Sequence, residues 1–188
     1  MLFIYQLLIS FLLLFSPIII FYRILKNKEH KTRYIEKFSV SSKKRSKGKL
    51  IWFHGASVGE IMSIIPLIKN YEKNKSISQI LITTSTLSSS KVLEKFKFSK
   101  TVHQFYPIDH WFFTSKFLKF WKPSIAIFVD SEIWPCMYKR IKDENIPLVL
   151  LNARLTKKTF KRWMKIKYFS ESVFNKILVA YPQNIETK

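Results

Sequence analysis

Cysteine, histidine, glycine and acid are all scarce in this sequence, and each scarcity removes a class of function. One cysteine, Cys136, among 188 residues excludes a disulfide framework and a cysteine-based zinc site. The four histidines, His30, His54, His103 and His110, show no pairing at metal-ligand spacing, so no metal site is expected. Three glycines leave no glycine-rich segment to cradle a nucleotide. Only 12 Asp and Glu stand against 33 Lys and Arg, a net charge of +21. Such a surface attracts polyanions, whether nucleic acid, anionic lipid headgroups or phosphorylated substrates. An apolar share of 47% is ample for a buried core and speaks against disorder.

Charge is also missing from Met1 to Tyr22, a run dense in Leu, Ile and Phe. A helix of that length reaches about 33 Å at ~1.5 Å per residue, enough to cross a hydrocarbon core. No basic side chain precedes the run, and Phe21-Tyr22-Arg23 closes it, the reverse of a cleaved signal peptide. Gln6, Ser10, Ser16 and Pro17 interrupt it, which keeps a helix lying in the interface as a second reading. Residues 23–49 hold eleven Lys and Arg against two Glu, a flank of +9. The positive-inside rule puts that flank, and the rest of the chain beyond it, on the cytoplasmic side against anionic headgroups. The expectation is a membrane anchor over 1–22, a basic juxtamembrane linker over 23–49 and a globular part over 50–188. With such an anchor and no recognisable nucleic-acid module, the charge is not read as a nucleic-acid surface.

From Leu50 onward the pattern alternates. Leu50-Ile51-Trp52-Phe53 reads as a buried strand and about 59–74 as a helix, with Ile61, Ile64, Ile65, Ile68 and Tyr71 at helical spacing. Further strands are expected at 79–83, 102–106, 124–129, 148–151 and near 177–180. Helices are expected after Ser90, over 109–121, after Pro135 and from Thr156. Strands apolar on both faces and separated by helices argue a parallel sheet covered on both sides, a doubly wound α/β domain. In such sheets the ligand crevice lies beyond the carboxyl ends of the strands. The segments there, 54–60, 83–86, 106–109, 130–135 and 152–154, are all polar or glycine-bearing.

Each candidate in them has a structural and a functional reading. Ser57-x-x-Glu60 before an apolar helix is a capping box, in which serine and glutamate each satisfy a backbone N–H. A carboxylate there is stabilised as the anion, so a general-base role for Glu60 calls for partial burial. Gly55 and Gly59 flank the turn and point to a tight bend or a close approach. Asp130-Ser131-Glu132 is either a pair of helix-start acids or a carboxylate site that the turn frees from strand alternation. Trp134-Pro135 reads as packing plus a helix start. Thr83, Thr84, Ser85 and Thr86 either cap a helix or bind an anion. Arg154 either grips a phosphate or carboxylate at two points or pairs with a buried acid. Lys157 to Lys165, with Phe160 and Trp163 three apart, fits an interfacial helix and equally a solvated basic face over two core aromatics.

Taken in order, several motifs resemble the 3-deoxy-D-manno-octulosonic acid (Kdo) transferases of lipopolysaccharide synthesis. They are Trp52-x-His54-x-x-Ser57-Val58-Gly59-Glu60, Pro66-Leu67, Thr83-Thr84-x-Thr86 and Tyr106-Pro107-x-Asp109, then Glu132-Ile133-Trp134-Pro135 and Asn152-Ala153-Arg154-Leu155. The resemblance runs to about Ala180 and implies the Rossmann-like N-terminal half of an inverting, metal-independent GT-B glycosyltransferase at the inner membrane. It implies CMP-Kdo as donor substrate, no cofactor, and a lipid A precursor as acceptor. It places the catalytic base on Glu60 and a second acid, assisting at the transition state, on Asp130. Ser57, Gly59, Thr83, Thr84, Thr86, Asp109, Glu132 and Arg154 fall on the acceptor side. Asp130 stands where the family usually has glutamate, and Leu87-Ser88-Ser89 stands where it has a glycine. The family continues into a second α/β domain carrying the nucleotide site. That donor-binding half is expected to be absent here, and the chain alone to be inactive. The other reading is a non-catalytic membrane module that binds acidic lipid or pairs with a separate donor-binding domain.

Overall fold

Six strands form one parallel sheet: β1 (Leu50–His54), β2 (Gln79–Thr84), β3 (Thr101–Phe105), β4 (Ile125–Val129), β5 (Leu148–Ala153) and β6 (Val179–Pro182). The computed structural model describes residues 1–184, so the last four residues of the expected 50–188 region lie outside the described residues. The strand order is β3-β2-β1-β4-β5-β6. It reverses between β1 and β4, the place where ligand crevices open in doubly wound sheets. The α/β expectation holds, with strand ends shifted by one or two residues.

The alternation of β1 shows why its run is continuously apolar. Leu50 and Trp52 enter one core with Phe117, Trp121, Met137 and Tyr138, while Ile51 and Phe53 enter the other with Ile61, Ile64, Ile68 and Ile82. The first core is closed by α5 (Trp111–Trp121), α6 (Pro135–Asp143) and α8 (Lys167–Phe174); the second by α3 (Val58–Lys73) and α4 (Leu87–Leu93). Each fully buried large side chain contributes about 1.5–3 kcal/mol, which both faces of every central strand supply. The basic stretch from Thr156 is two helices, α7 (Lys157–Met164) and α8, and α7 buries no residue.

The N-terminal third departs from expectation twice. Residues 1–22 are not one helix: α1 (Leu2–Leu14) and α2 (Ser16–Leu25) meet at 58° around Phe15. Pro17 stands in the first turn of α2, where its missing N–H and bulky ring end the ladder of α1. No single helix among the described residues is long and apolar enough to cross a membrane; only the bent pair passes that test together. Two of the polar interruptions, Gln6 and Ser10, are docking contacts, as is Tyr5 beside them. Tyr5 donates to Asp109 Oδ2 at 2.7 Å, Gln6 Oε1 accepts the Trp111 N–H at 3.0 Å, and Ser10 Oγ meets His110 Nε2 at 3.2 Å. Phe3, Leu7, Phe11 and Leu14 remain exposed.

Residues 23–49, expected as a linker, are part of the domain. They contain a 3-10 helix, Arg33–Phe38, and their only two acids are both buried. Glu36 accepts from Arg33 at 2.9 Å and from the Phe105 N–H at 2.8 Å, which ties the segment to the end of β3. Glu29 pairs with Arg23 and Lys37. Arg45 donates to the carbonyl of Trp121 at the end of α5. A segment of +9 is thus held by the two carboxylates it spares, each paired and hydrogen-bonded as burial requires.

Candidate functional site

At the carboxyl end of β1 the chain turns through Gly55, Ala56 and Ser57 into α3. Ser57 Oγ accepts the Glu60 N–H at 3.3 Å and donates to Glu60 Oε1 at 2.5 Å, while Glu60 Oε2 accepts the Ala56 N–H at 2.8 Å. The capping box is present, and it leaves the carboxylate half-buried with one donor on each oxygen. An ionised carboxylate has about four acceptor positions, so two stay open to an incoming hydroxyl. Gly55 makes this packing possible: a Cβ there would stand 3.2 Å from both Glu60 Cβ and Ile61 Cδ1. Gly59 is exposed, with nothing within 4 Å of where its Cβ would lie.

Next to it runs β4, whose Phe128 pairs with His54. Past Val129 the backbone enters the left-handed region at Asp130, φ 61°, at a cost of about 1–2 kcal/mol for an L residue. The kink sends the two acids different ways. Glu132 Oε2 accepts from Trp134 Nε1 at 2.9 Å and faces His54 Nε2 at 3.1 Å. A carboxylate only accepts, so His54 carries a proton on Nε2. Its Nδ1 lies 3.0 Å from Thr83 Oγ1, and its ring, fully buried, stacks on Tyr106 with centroids 3.8 Å apart. Burial pushes the Glu132 carboxyl up, but the hydrogen bond and charge of His54 with the Trp134 indole outweigh it and hold the group below the ordinary glutamate range.

Asp130 turns toward a cavity of about 380 Å³ shared with Arg154, Thr159, Trp163, Phe174 and Ile177. Ser131 Oγ stands 2.8 Å from Asp130 Oδ1 and 2.7 Å from the Arg154 carbonyl, which pins the loop after β4 to the end of β5. Arg154 is exposed at that cavity.

Three expected acceptor contacts are internal instead. Thr83 and Thr84 are fully buried, Thr83 Oγ1 accepting from Trp52 Nε1 at 2.9 Å and Thr84 Oγ1 bonding His103 Nε2 at 2.9 Å. Asp109, 2% exposed, accepts the N–H groups of Cys136 at 3.0 Å and Met137 at 2.8 Å as well as the Tyr5 hydroxyl. It caps α6, and burial keeps its carboxyl above the ordinary range despite those three donors. These polar groups sit at strand ends because they hold the rim together, and no face of them is open to a ligand. Ser57, Gly59, Thr86 and Arg154 are exposed, and Glu60, Asp130 and Glu132 half-buried, so these seven form the accessible set. His54, Tyr106 and Trp134 were missing from the expected site. Their signal was a lone imidazole closing an apolar strand and an indole two residues after an acid.

Residues 32–188 match the family model described as 3-deoxy-D-manno-octulosonic-acid transferase (kdotransferase). The chain belongs to that family. A 3-deoxy-D-manno-octulosonic acid transferase of Rickettsia felis is 42% identical over 140 residues, 73% of this chain and 30% of the relative. A probable mitochondrial one of Arabidopsis thaliana is 41% identical over 151 residues, 79% of this chain and 34% of the relative. That of Rickettsia bellii is 37% identical over 183 residues, 95% of this chain and 43% of the relative. The chain therefore spans about a third to two fifths of the length of these kdotransferases. Within that portion the Glu60 turn and the Asp130–Trp134 loop stand on adjacent strands at the point where the sheet order reverses.

Proposed function

We propose that this chain forms the acceptor-side half of a Kdo transferase that moves Kdo from CMP-Kdo to a lipid A precursor, with inversion and without a metal. The observation that carries the reading is Glu60, a half-buried carboxylate with one donor on each oxygen and acceptor positions left open. Glu60 takes the proton of the acceptor hydroxyl as that oxygen bonds to the anomeric carbon of Kdo. The bond from that carbon to the CMP phosphate breaks, and CMP leaves with the electron pair. Asp130 assists from the loop that His54, Glu132 and Trp134 hold in shape. Work at a bilayer is supported by the exposed apolar side chains of α1 and α2 and by α7, where Phe160 and Met164 are exposed among lysines. The cytoplasmic face of the inner membrane is the setting this reading requires.

The test is to co-express the chain with a donor-binding domain from the family and to assay Kdo transfer from CMP-Kdo to a lipid A precursor. Replacing Glu60→Gln keeps the cap geometry and removes the base, so transfer falls by about 10²–10⁴ while the melting temperature holds. Wild-type transfer by a folded Glu60→Gln variant would refute the assignment.

A further inference from the structure

Between the end of α2 and the turn before α4 lies a cavity of about 270 Å³ that the proton transfer at Glu60 does not use. Arg23, Asn27, Lys28, Thr86, Ser88 and Lys91 line it, and no acid does. Arg23 shares its charge with buried Glu29 at 3.1 Å, which Lys37 also neutralises. Among the described residues, neither Lys28 nor Lys91 pairs with an acid, and both are exposed.

Two connections give this cavity a direction. On one side, Thr86 Oγ1 and Ser89 Oγ reach the Ala56 carbonyl at 3.4 and 3.0 Å, and the Ala56 N–H holds Glu60 Oε2 at 2.8 Å. The cationic wall is thus hydrogen-bonded onto the Glu60 turn. On the other side, Arg23 comes directly after the exposed apolar side chains of Ile18, Ile19, Phe21 and Tyr22 on α2. An amphiphile whose chains lie along α2 meets positive charge where the apolar surface ends.

We propose that this cavity binds a phosphate monoester on the headgroup of an amphiphile, placing the headgroup beside Glu60. A monoester carries close to two charges and three strong acceptor oxygens, which suits three cations with the Ser88 hydroxyl and the Asn27 amide; a diester offers one charge and fewer free oxygens. The role in positioning an acceptor rests on the Kdo-transfer reading; the anion site itself does not.

The experiment measures binding of the full chain to phosphatidylcholine vesicles containing phosphatidic acid, or phosphatidylglycerol at matched surface charge. The double variant Lys28→Ala/Lys91→Ala weakens binding to phosphatidic acid by about tenfold and changes binding to phosphatidylglycerol far less. Lys73→Ala/Lys142→Ala, which removes the same charge from exposed positions elsewhere, leaves the preference for phosphatidic acid intact. Equal loss on both lipids, or no more loss than this control shows, overturns the site.

A second arm monitors the Ser88 and Lys91 amide resonances in zwitterionic micelles. A shift with inorganic phosphate alone means that the cavity takes the free anion. A shift with phosphatidic acid only means that it needs the lipid-borne group. No shift with either overturns the proposal. Neither arm involves sugar transfer, so failure here leaves the Glu60 assignment standing, and failure of the Glu60→Gln test leaves this site standing.

Discussion

Capping and proton transfer are compatible at Glu60 because the cap consumes one acceptor position per oxygen and leaves the others. The residue that sets this balance is Gly55, whose missing Cβ is what lets the Glu60 Cβ approach. Gly55→Ala creates contacts at 3.2 Å with Glu60 and Ile61, so the start of α3 must shift by a few tenths of an ångström. Positioning by that amount matters in a transition state, so on the Glu60 proposal transfer measured together with a donor-binding domain drops by more than about tenfold with little change in melting temperature. Assay of the variant beside its thermal melt checks this, and unimpaired transfer would mean that Glu60 need not be held so closely. Gly59→Ala meets no atom within 4 Å and serves as the matched substitution for the fold: its melt is unchanged or raised, as expected for replacing glycine inside a helix.

Among the elements, the sheet was legible and the 23–49 segment was not, for one reason. Apolar runs such as 50–53 and 79–83 reveal burial by themselves, whereas the charged 23–49 segment is buried in part through distant partners, Glu36 through the Phe105 N–H 69 positions away. Arg33, for instance, donates to His103 Nδ1 at 2.8 Å across 70 positions. The same blindness hid the burial of Thr83, Thr84 and Asp109, polar residues at strand ends whose partners lie on other elements, while the Ser57–Glu60 cap was readable because it is local. The Arg33 contact makes a pH prediction. Since Arg33 donates to Nδ1, His103 is neutral and its Nε2–H donates to Thr84; burial, then the charges of Arg33, Lys43 and His30, hold the imidazole down at about 3. Its folded value lies below the unfolded one of about 6.5, so the contribution is complete above that pH and is lost as pH falls toward 3. Unfolding free energies from denaturant titrations between pH 7 and pH 5 decline with a slope of up to about 1.4 kcal/mol per pH unit from this group. His103→Gln flattens the decline; an unchanged slope in that variant would assign it to other groups.

Across the whole molecule, one carboxylate connects the apolar N-terminal helices to the loop that carries the acids. Asp109 takes the Tyr5 hydroxyl from α1 and the first N–H groups of α6, and α6 begins directly after Glu132, Ile133 and Trp134. The exposed apolar side chains of α1 and α2 are therefore fixed in orientation relative to the Asp130–Trp134 loop, which a flexible tether would not achieve. Cys136, the single cysteine, reports on this joint: it is 3% exposed, lies 3.6 Å from Thr114 Oγ1, and its backbone N–H donates to the same Asp109 Oδ2 that takes the Tyr5 hydroxyl. Tyr5→Phe deprives a buried carboxylate of one of its three donors, a loss of about 1–3 kcal/mol, which raises the population of undocked α1 by roughly tenfold or more. Labelling of Cys136 by a thiol reagent under native conditions then accelerates by a similar factor. Tyr168→Phe, at a position 88% exposed, leaves the labelling rate alone. If neither Tyr5→Phe nor removal of the Gln6 and Ser10 side chains speeds labelling, α1 does not cover Cys136, and the helices are joined to the domain only through the basic segment after them.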